Sequence, residues 1–190
     1  MLGTLVLLVV VVVVAIGGIG IYNRLVALKH RVATSWSNID VLLKQRHDEL
    51  PKLVDTCRQY MQYEQETLEK VMQARNAVYA ARESGDVAGV SVAEGGLRAQ
   101  LGKLFAVAEA YPDLKANASF QQLQGRISEL ETGISDRREL YNEAVNVNNA
   151  SIEQFPASII AGMFAFKPAK LLEFADADKA DVSVRALFSG

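Results

Sequence analysis

The sequence predicts an all-α protein. A single amino-terminal transmembrane helix continues into an antiparallel bundle of long helices, and a less regular carboxy-terminal tail follows. Three observations predict this. Residues 1–22 form one uncharged apolar run. From Leu25 to Ala144, apolar side chains recur in steps of three or four, the spacing of one stripe on a helix. Before residue 155, no strand signal competes with this helical reading. The expected divisions are a transmembrane helix at 1–22, a helical bundle at 23–155, and an apolar, partly irregular tail at 156–190.

The run "MLGTLVLLVVVVVVAIGGIGIY" has Arg24 as its first charged neighbour. At about 1.5 Å per residue it covers roughly 30 Å, the thickness of a bilayer's hydrocarbon core. A cleavable signal peptide would want a basic start and a shorter apolar stretch. Nothing basic precedes the run, and no cysteine near its end could carry a lipid anchor. The span includes Leu2, Leu5, Val9, Val13, Ile16 and Tyr22, and Gly17, Gly18 and Gly20 give it small residues where another helix can approach closely. Arg24, Lys29 and Arg31 follow it, with only Asp40 opposing them nearby. Basic flanks stay inside, so the expected placement is the cell inner membrane with the bundle cytoplasmic.

Beyond the span, Leu25, Leu28, Val32, Trp36, Ile39 and Leu43 continue the stripe with no Gly or Pro, so the membrane helix should run on unbroken. Pro51 cannot donate to the carbonyl of His47, and a kink or restart is expected there. A second helix then carries Leu53, Cys57, Tyr60, Glu64, Leu68, Val71, Arg75 and Val78. A loop is expected at 83–90, where "ESGDVAG" lacks periodic apolar residues. "SVAE" from Ser91 matches a capping box opening a third helix through Leu97, Leu101, Leu104 and Ala108.

A corner follows at 111–118. Pro112 pushes Tyr111 out of helical geometry, and Asp113 and Asn117 favour turns through local hydrogen bonds. "SFQQ", from Ser119, reads as a second capping box. The last long helix carries Phe120, Leu123, Ile127, Leu130, Ile134, Arg137, Tyr141 and Ala144 with coiled-coil-like spacing, ending near "NVNNAS" or at Pro156. The bundle then has three long helices, the first or second kinked at Pro51, with short connections making neighbours antiparallel.

The tail segment "FPASIIAGMFAFKPAKLLEF" is apolar, broken by proline and too short to span a membrane. Ile159, Ile160, Met163, Phe164 and Phe166 form a candidate interface. Two readings stay open: the set covers the bundle end, or it meets a membrane or another subunit. Val182, Val184 and Ala186 near the terminus suggest a short extended end.

Several stretches resemble the bacterial LemA family. "YNRLVALKHRVATSWSNIDVLLKQRHDELPKLVDTCRQY" resembles its first block, "YPDLKAN" its central block and "LYNEAVNVNNASIEQFP" its last. His47 and Glu49 stand where the family more often shows arginine and leucine-like residues, and both read as surface-type changes. The resemblance implies a helical fold anchored by one amino-terminal helix. It also hints at a membrane protease or envelope protein as partner, since such genes often lie beside the family's.

Chemistry is thinly supported. His30 and His47, the only histidines, lie about 25 Å apart along the first helix and cannot share a metal. No HExxH or CxxC spacing exists, and no metal or cofactor is expected. Cys57, the single cysteine, sits on a stripe as a small packing residue. Glu64, Glu66 and Glu69, with Lys70 and Arg75, read as a solvated face, and Trp36 as core. Glu64, Arg75 and Arg137 also fall within apolar spacing, either paired inside the bundle or exposed at an interface. A net charge of −2 without a basic aromatic stripe carries no nucleic-acid signal, and no nucleic acid is expected as a partner. The expected function is a membrane-anchored scaffold without catalysis that forms a homo-oligomer in the lipid bilayer and organises membrane or partner proteins. The alternative is a monomeric adaptor or regulator of a membrane protease or envelope-stress sensor.

Overall fold

The computed structural model describes residues 1–173. The expected extended end at Val182, Val184 and Ala186 therefore lies outside the described residues. In chain order the helices are α1 (Leu2–Arg58), α2 (Gln65–Glu83), α3 (Val87–Ala108), α4 (Pro112–Ala116), α5 (Ala118–Glu153) and α6 (Ala157–Met163). No strand occurs among the described residues.

One uninterrupted helix of 57 residues carries both the apolar run and the first stripe. The restart expected at Pro51 does not occur, because α1 passes through the proline. A proline inside a helix costs about 3 kcal/mol, partly because the carbonyl four residues back loses its donor. Here Arg75 replaces that donor: its Nε–H donates to the His47 carbonyl oxygen at 2.8 Å. A hydrogen bond from a charged group contributes about 1.5–3 kcal/mol net, enough to offset much of that cost. Leu50, Leu53 and Val54, all buried around the proline, hold the helix in place.

The reversal comes instead at residues 59–64. The N–H groups of Tyr60 and Met61 both return to the Cys57 carbonyl, at 3.0 and 2.8 Å, and that of Glu64 to Met61 at 3.2 Å. "QYMQYE" holds no Gly or Pro. The buried side chain of Met61 fixes this turn, so burial overrides local propensity. Leu53 and Cys57 thus belong to α1, and the described residues hold four long helices, α1, α2, α3 and α5, rather than three.

The expected loop at 83–90 shrinks to residues 84–86. Gly85, at φ +67°, takes the left-handed position that ends α2. The N–H groups of Gly85 and Asp86 close back on Arg82 and Ala81. Since α3 starts at Val87, Ser91 lies inside the helix and is not its cap. Its hydroxyl donates instead to the carbonyl of Glu173.

The chain forms two compact units. One comprises Met1–Ile39 and Ser135–Leu171. Its buried residues include Leu25, Ile39, Tyr141, Val145 and Ala161. The other comprises Asp40–Ile134 with, among the described residues, Leu172 and Glu173. There Leu50, Leu68, Val71, Leu101, Leu114 and Ile127 are fully buried. Within this unit α2 runs antiparallel to α1, since Arg75 reaches His47 while Arg82 reaches Asp40. The start of α5 is also antiparallel to α1, with Asn117 on Tyr60 and Arg126 on Gln45.

On α5 the expected stripe holds at Ile134, Tyr141 and Ala144, which are buried, and differs at one position: Arg137 is exposed and Arg138 is buried. Position 138 lies four residues after Ile134 and three before Tyr141, a helical spacing as good as the three-then-four step through 137.

Candidate functional site

In the unit holding the span, Leu2, Leu5, Val9, Val13, Ile16 and Tyr22 are all exposed, and the most apolar stretch of α1 is not buried at all. Burial on α1 begins at Leu25. At this boundary α6 packs against α1. The ring of Phe164 lies 4.7 Å from that of Tyr22, and Phe166 meets it edge-on at 5.9 Å. Ile160 comes within 3.9 Å of where a side chain on Gly18 would begin, an ordinary contact distance that places α6 beside this turn of α1. Gly17 and Gly20 have open space beside them. Of the expected interface set, Ile159, Met163 and Phe164 are exposed, and Ile160 and Phe166 are half-buried.

The backbone of α6 closes on itself. Phe164 N–H bonds to Ile160, Ala165 to Gly162 and Phe166 to Ala161. Ala165, at φ +53°, occupies the left-handed position normally given to glycine. The chain beyond α6 is clamped by α5. Asn149 accepts from Ala169 N–H and donates to its carbonyl, both at 2.9 Å. Tyr141 donates its hydroxyl to the Lys170 carbonyl at 2.8 Å, while its ring packs 5.6 Å from Trp36. Burial raises the Tyr141 phenol above its usual range. Sequence reasoning read "NVNNAS" only as a helix end. The usable signal was the run of asparagines inside a helical pattern, since asparagine favours side-chain bonds to backbone over helix interiors. Between Tyr22, Lys29, His30, Asn148, Phe164 and Lys167 lies a cleft of about 500 Å³.

The second unit holds a cavity of about 380 Å³ bordered by Arg46, His47, Arg75, Tyr79 and Arg82. Arg46 is buried and paired with Glu94. Arg82 grips Asp40 through two nitrogens, one at 3.0 Å. The hydrogen bond to Asp40 raises the Arg82 pKa. His47 stacks on Tyr79 at 4.7 Å. Burial first, and then the Arg75 charge, hold the imidazole below its ordinary value. His47 is therefore half-buried against Tyr79 and not a plain surface position. Glu64 accepts from Tyr111 at 3.4 Å, and Arg75 is committed to His47, so both act inside the bundle. Glu66 and Glu69 are exposed, with Glu66 paired to Lys70.

At the corner, Pro112 is the first residue of α4, a position where its missing N–H costs nothing. Tyr111 is half-buried, Asp113 and Ser119 are exposed, and Leu114 is fully buried as a plug that periodicity missed. The capping box expected at Ser119 is replaced by Asn117, whose Oδ1 accepts from Phe120 N–H at 3.0 Å. Asparagine's short carbonyl reaches the third residue of the new helix from one register earlier. Its Nδ2 donates to the Tyr60 hydroxyl at 3.0 Å, so the central and first sequence blocks meet here.

Chemically these groups bind and brace. Cys57 is fully buried, and burial pushes its thiol up to about 11, far from a reactive thiolate at neutral pH. Among the described residues, no three His, Cys, Asp or Glu side chains gather as a metal site would need.

An exposed apolar span, continuous with a helical bundle braced by internal ion pairs, defines a membrane-associated helical protein. The chain belongs to the LemA family, whose profile matches residues 35–185. It is similar to Protein LemA of Metamycoplasma hominis, at 27% identity over 173 residues, covering 89% of this chain and 76% of that one. It is also similar to magnetosome protein MamQ 2 of Paramagnetospirillum magneticum, at 31% identity over 107 residues, or 55% of this chain and 39% of the relative. Magnetosome protein MamQ of Magnetospirillum gryphiswaldense is 28% identical over 75 residues, covering 40% of this chain and 28% of that one. The chain thus spans well under half the length of the MamQ relatives it matches.

Proposed function

We propose that this chain is a self-associating scaffold, held in the cell inner membrane by α1, that organises membrane or partner proteins without catalysis. The observation that carries the reading is one helix that is apolar and unburied from its start to Tyr22, then built into a bundle from Leu25 onward. Such a helix couples a membrane position to a protein surface with no hinge residue between them. Gly17 and Gly20 support association in lipid, where close backbone approach replaces the hydrophobic drive. Arg24, Lys29 and Arg31 are all exposed after the span and favour a cytoplasmic bundle. The buried, weakly acidic Cys57 and the bracing contacts of Arg46, Arg75 and Arg82 support a binding role over a catalytic one.

The test is the mass of the full chain in mild detergent, by light scattering across concentrations. A multiple of the 20.7 kDa chain mass is expected. A strict monomer rejects self-association. In-cell crosslinks to one membrane protein, without self-links, would then favour a monomeric adaptor.

A further inference from the structure

The strongest unexplained surface is α6 with the residues flanking it. Phe155, Ile159, Met163 and Phe164 stand at 82%, 55%, 72% and 57% exposure. Large apolar side chains so close together in water usually mark a contact. Their position on α1 says which contact. Tyr22, against Phe164 and Phe166, ends the apolar run at the level where aromatic rings sit between lipid tails and headgroups. Ile160 touches α1 at Gly18, four residues earlier and so about 6 Å deeper along the span. A segment packed beside the last turn of a membrane span lies at the edge of the bilayer itself.

Two further observations fit lipid as the occupant. The carbonyls of Ile160, Ala161 and Gly162 near the end of α6 accept from the Phe164, Phe166 and Ala165 N–H groups, in keeping with the demand of lipid for internally paired backbone. Lys167 and Lys170 follow directly, and both are exposed in the same unit as Arg24, Lys29 and Arg31. A basic rim around an apolar wedge suits anionic headgroups above acyl chains.

We infer that residues 155–166 form a second membrane contact, a short wedge lying in the headgroup–acyl boundary beside the end of the span. The wedge meets lipid through Phe155, Ile159, Met163 and Phe164, and Lys167 and Lys170 face phosphate headgroups. This inference rests on α1 spanning the bilayer, and its test separates the two.

The full chain is reconstituted in vesicles of phosphatidylcholine with phosphatidylglycerol, some carrying brominated acyl chains that quench indoles on contact. Trp36, the only native tryptophan, is replaced by Phe. In that background a single indole is placed by Phe164→Trp, by Val9→Trp or by Leu140→Trp, the last at an exposed position of the same unit beside Tyr141, and helicity is checked for each. Expected is a loss of fluorescence for the 164 and 9 probes, strongest for 164 when bromine sits high in the chain, and no loss for the 140 probe. Quenching at 9 without quenching at 164 overturns the wedge and leaves the span intact. Blue-shifted but unquenched emission at 164 assigns the surface to protein contact and also overturns it. No quenching at either position removes the span as well. If Phe164→Trp does not fold, Met163→Trp repeats the measurement on the same surface.

Discussion

At the scale of single residues, the most instructive pair is Pro51 and Arg75. The proline leaves the His47 carbonyl without a helical donor, and the arginine, from the next helix, supplies one at 2.8 Å. The pair should therefore be coupled. Arg75→Met is expected to destabilise the full chain by about 1.5–3 kcal/mol, the net worth of a charged hydrogen bond. In a Pro51→Ala background that loss should shrink, because the alanine N–H takes over the carbonyl. Denaturant titration of the four chains in mild detergent gives the coupling. Equal losses in both backgrounds would show that Arg75 contributes only packing or general charge.

At the scale of elements, the caps decide where helices begin and end. Asn117, not Ser119, holds the start of α5 and also bridges to Tyr60. Asn117→Ala should cost about 1 kcal/mol or somewhat more, while Ser119→Ala, at an exposed position, should be near neutral. Thermal unfolding followed by circular dichroism distinguishes them, and the reverse ranking would restore Ser119 as the cap. The elements also show what the sequence could and could not disclose. The span was legible because its signal is local and unbroken. The stripes on α1, α3 and α5 were legible because each repeats over many turns. The turn at 59–64 was not, since a buried Met61 makes it without Gly or Pro. The caps at Ser91 and Ser119 were misplaced because a capping-box match gives no register when Asp86 or Asn117 can begin the helix sooner. At the candidate site, the apolar set from Ile159 to Phe166 was visible in composition alone. Its place on Tyr22 and Gly18, and the clamp from Asn149 to Ala169, join residues far apart in the chain, and one sequence carries no signal for such pairings.

At the scale of the whole molecule, α1 belongs to both compact units and carries the span as well. The internal polar groups described above are used to brace helices: Arg46 on Glu94, Arg82 on Asp40, Asn117 on Tyr60. The span, the α6 surface and the basic residues beside them face outward in one unit. Everything proposed for the protein therefore depends on α1 remaining attached and embedded. Membranes from cells expressing the chain can be washed in alkaline carbonate and the pelleted protein weighed intact by mass spectrometry. The expected result is retention in the pellet at the full 20.7 kDa. Release into the wash, or a mass reduced by about the 20 residues of a cleaved leader, would contradict a bundle anchored through its own first helix.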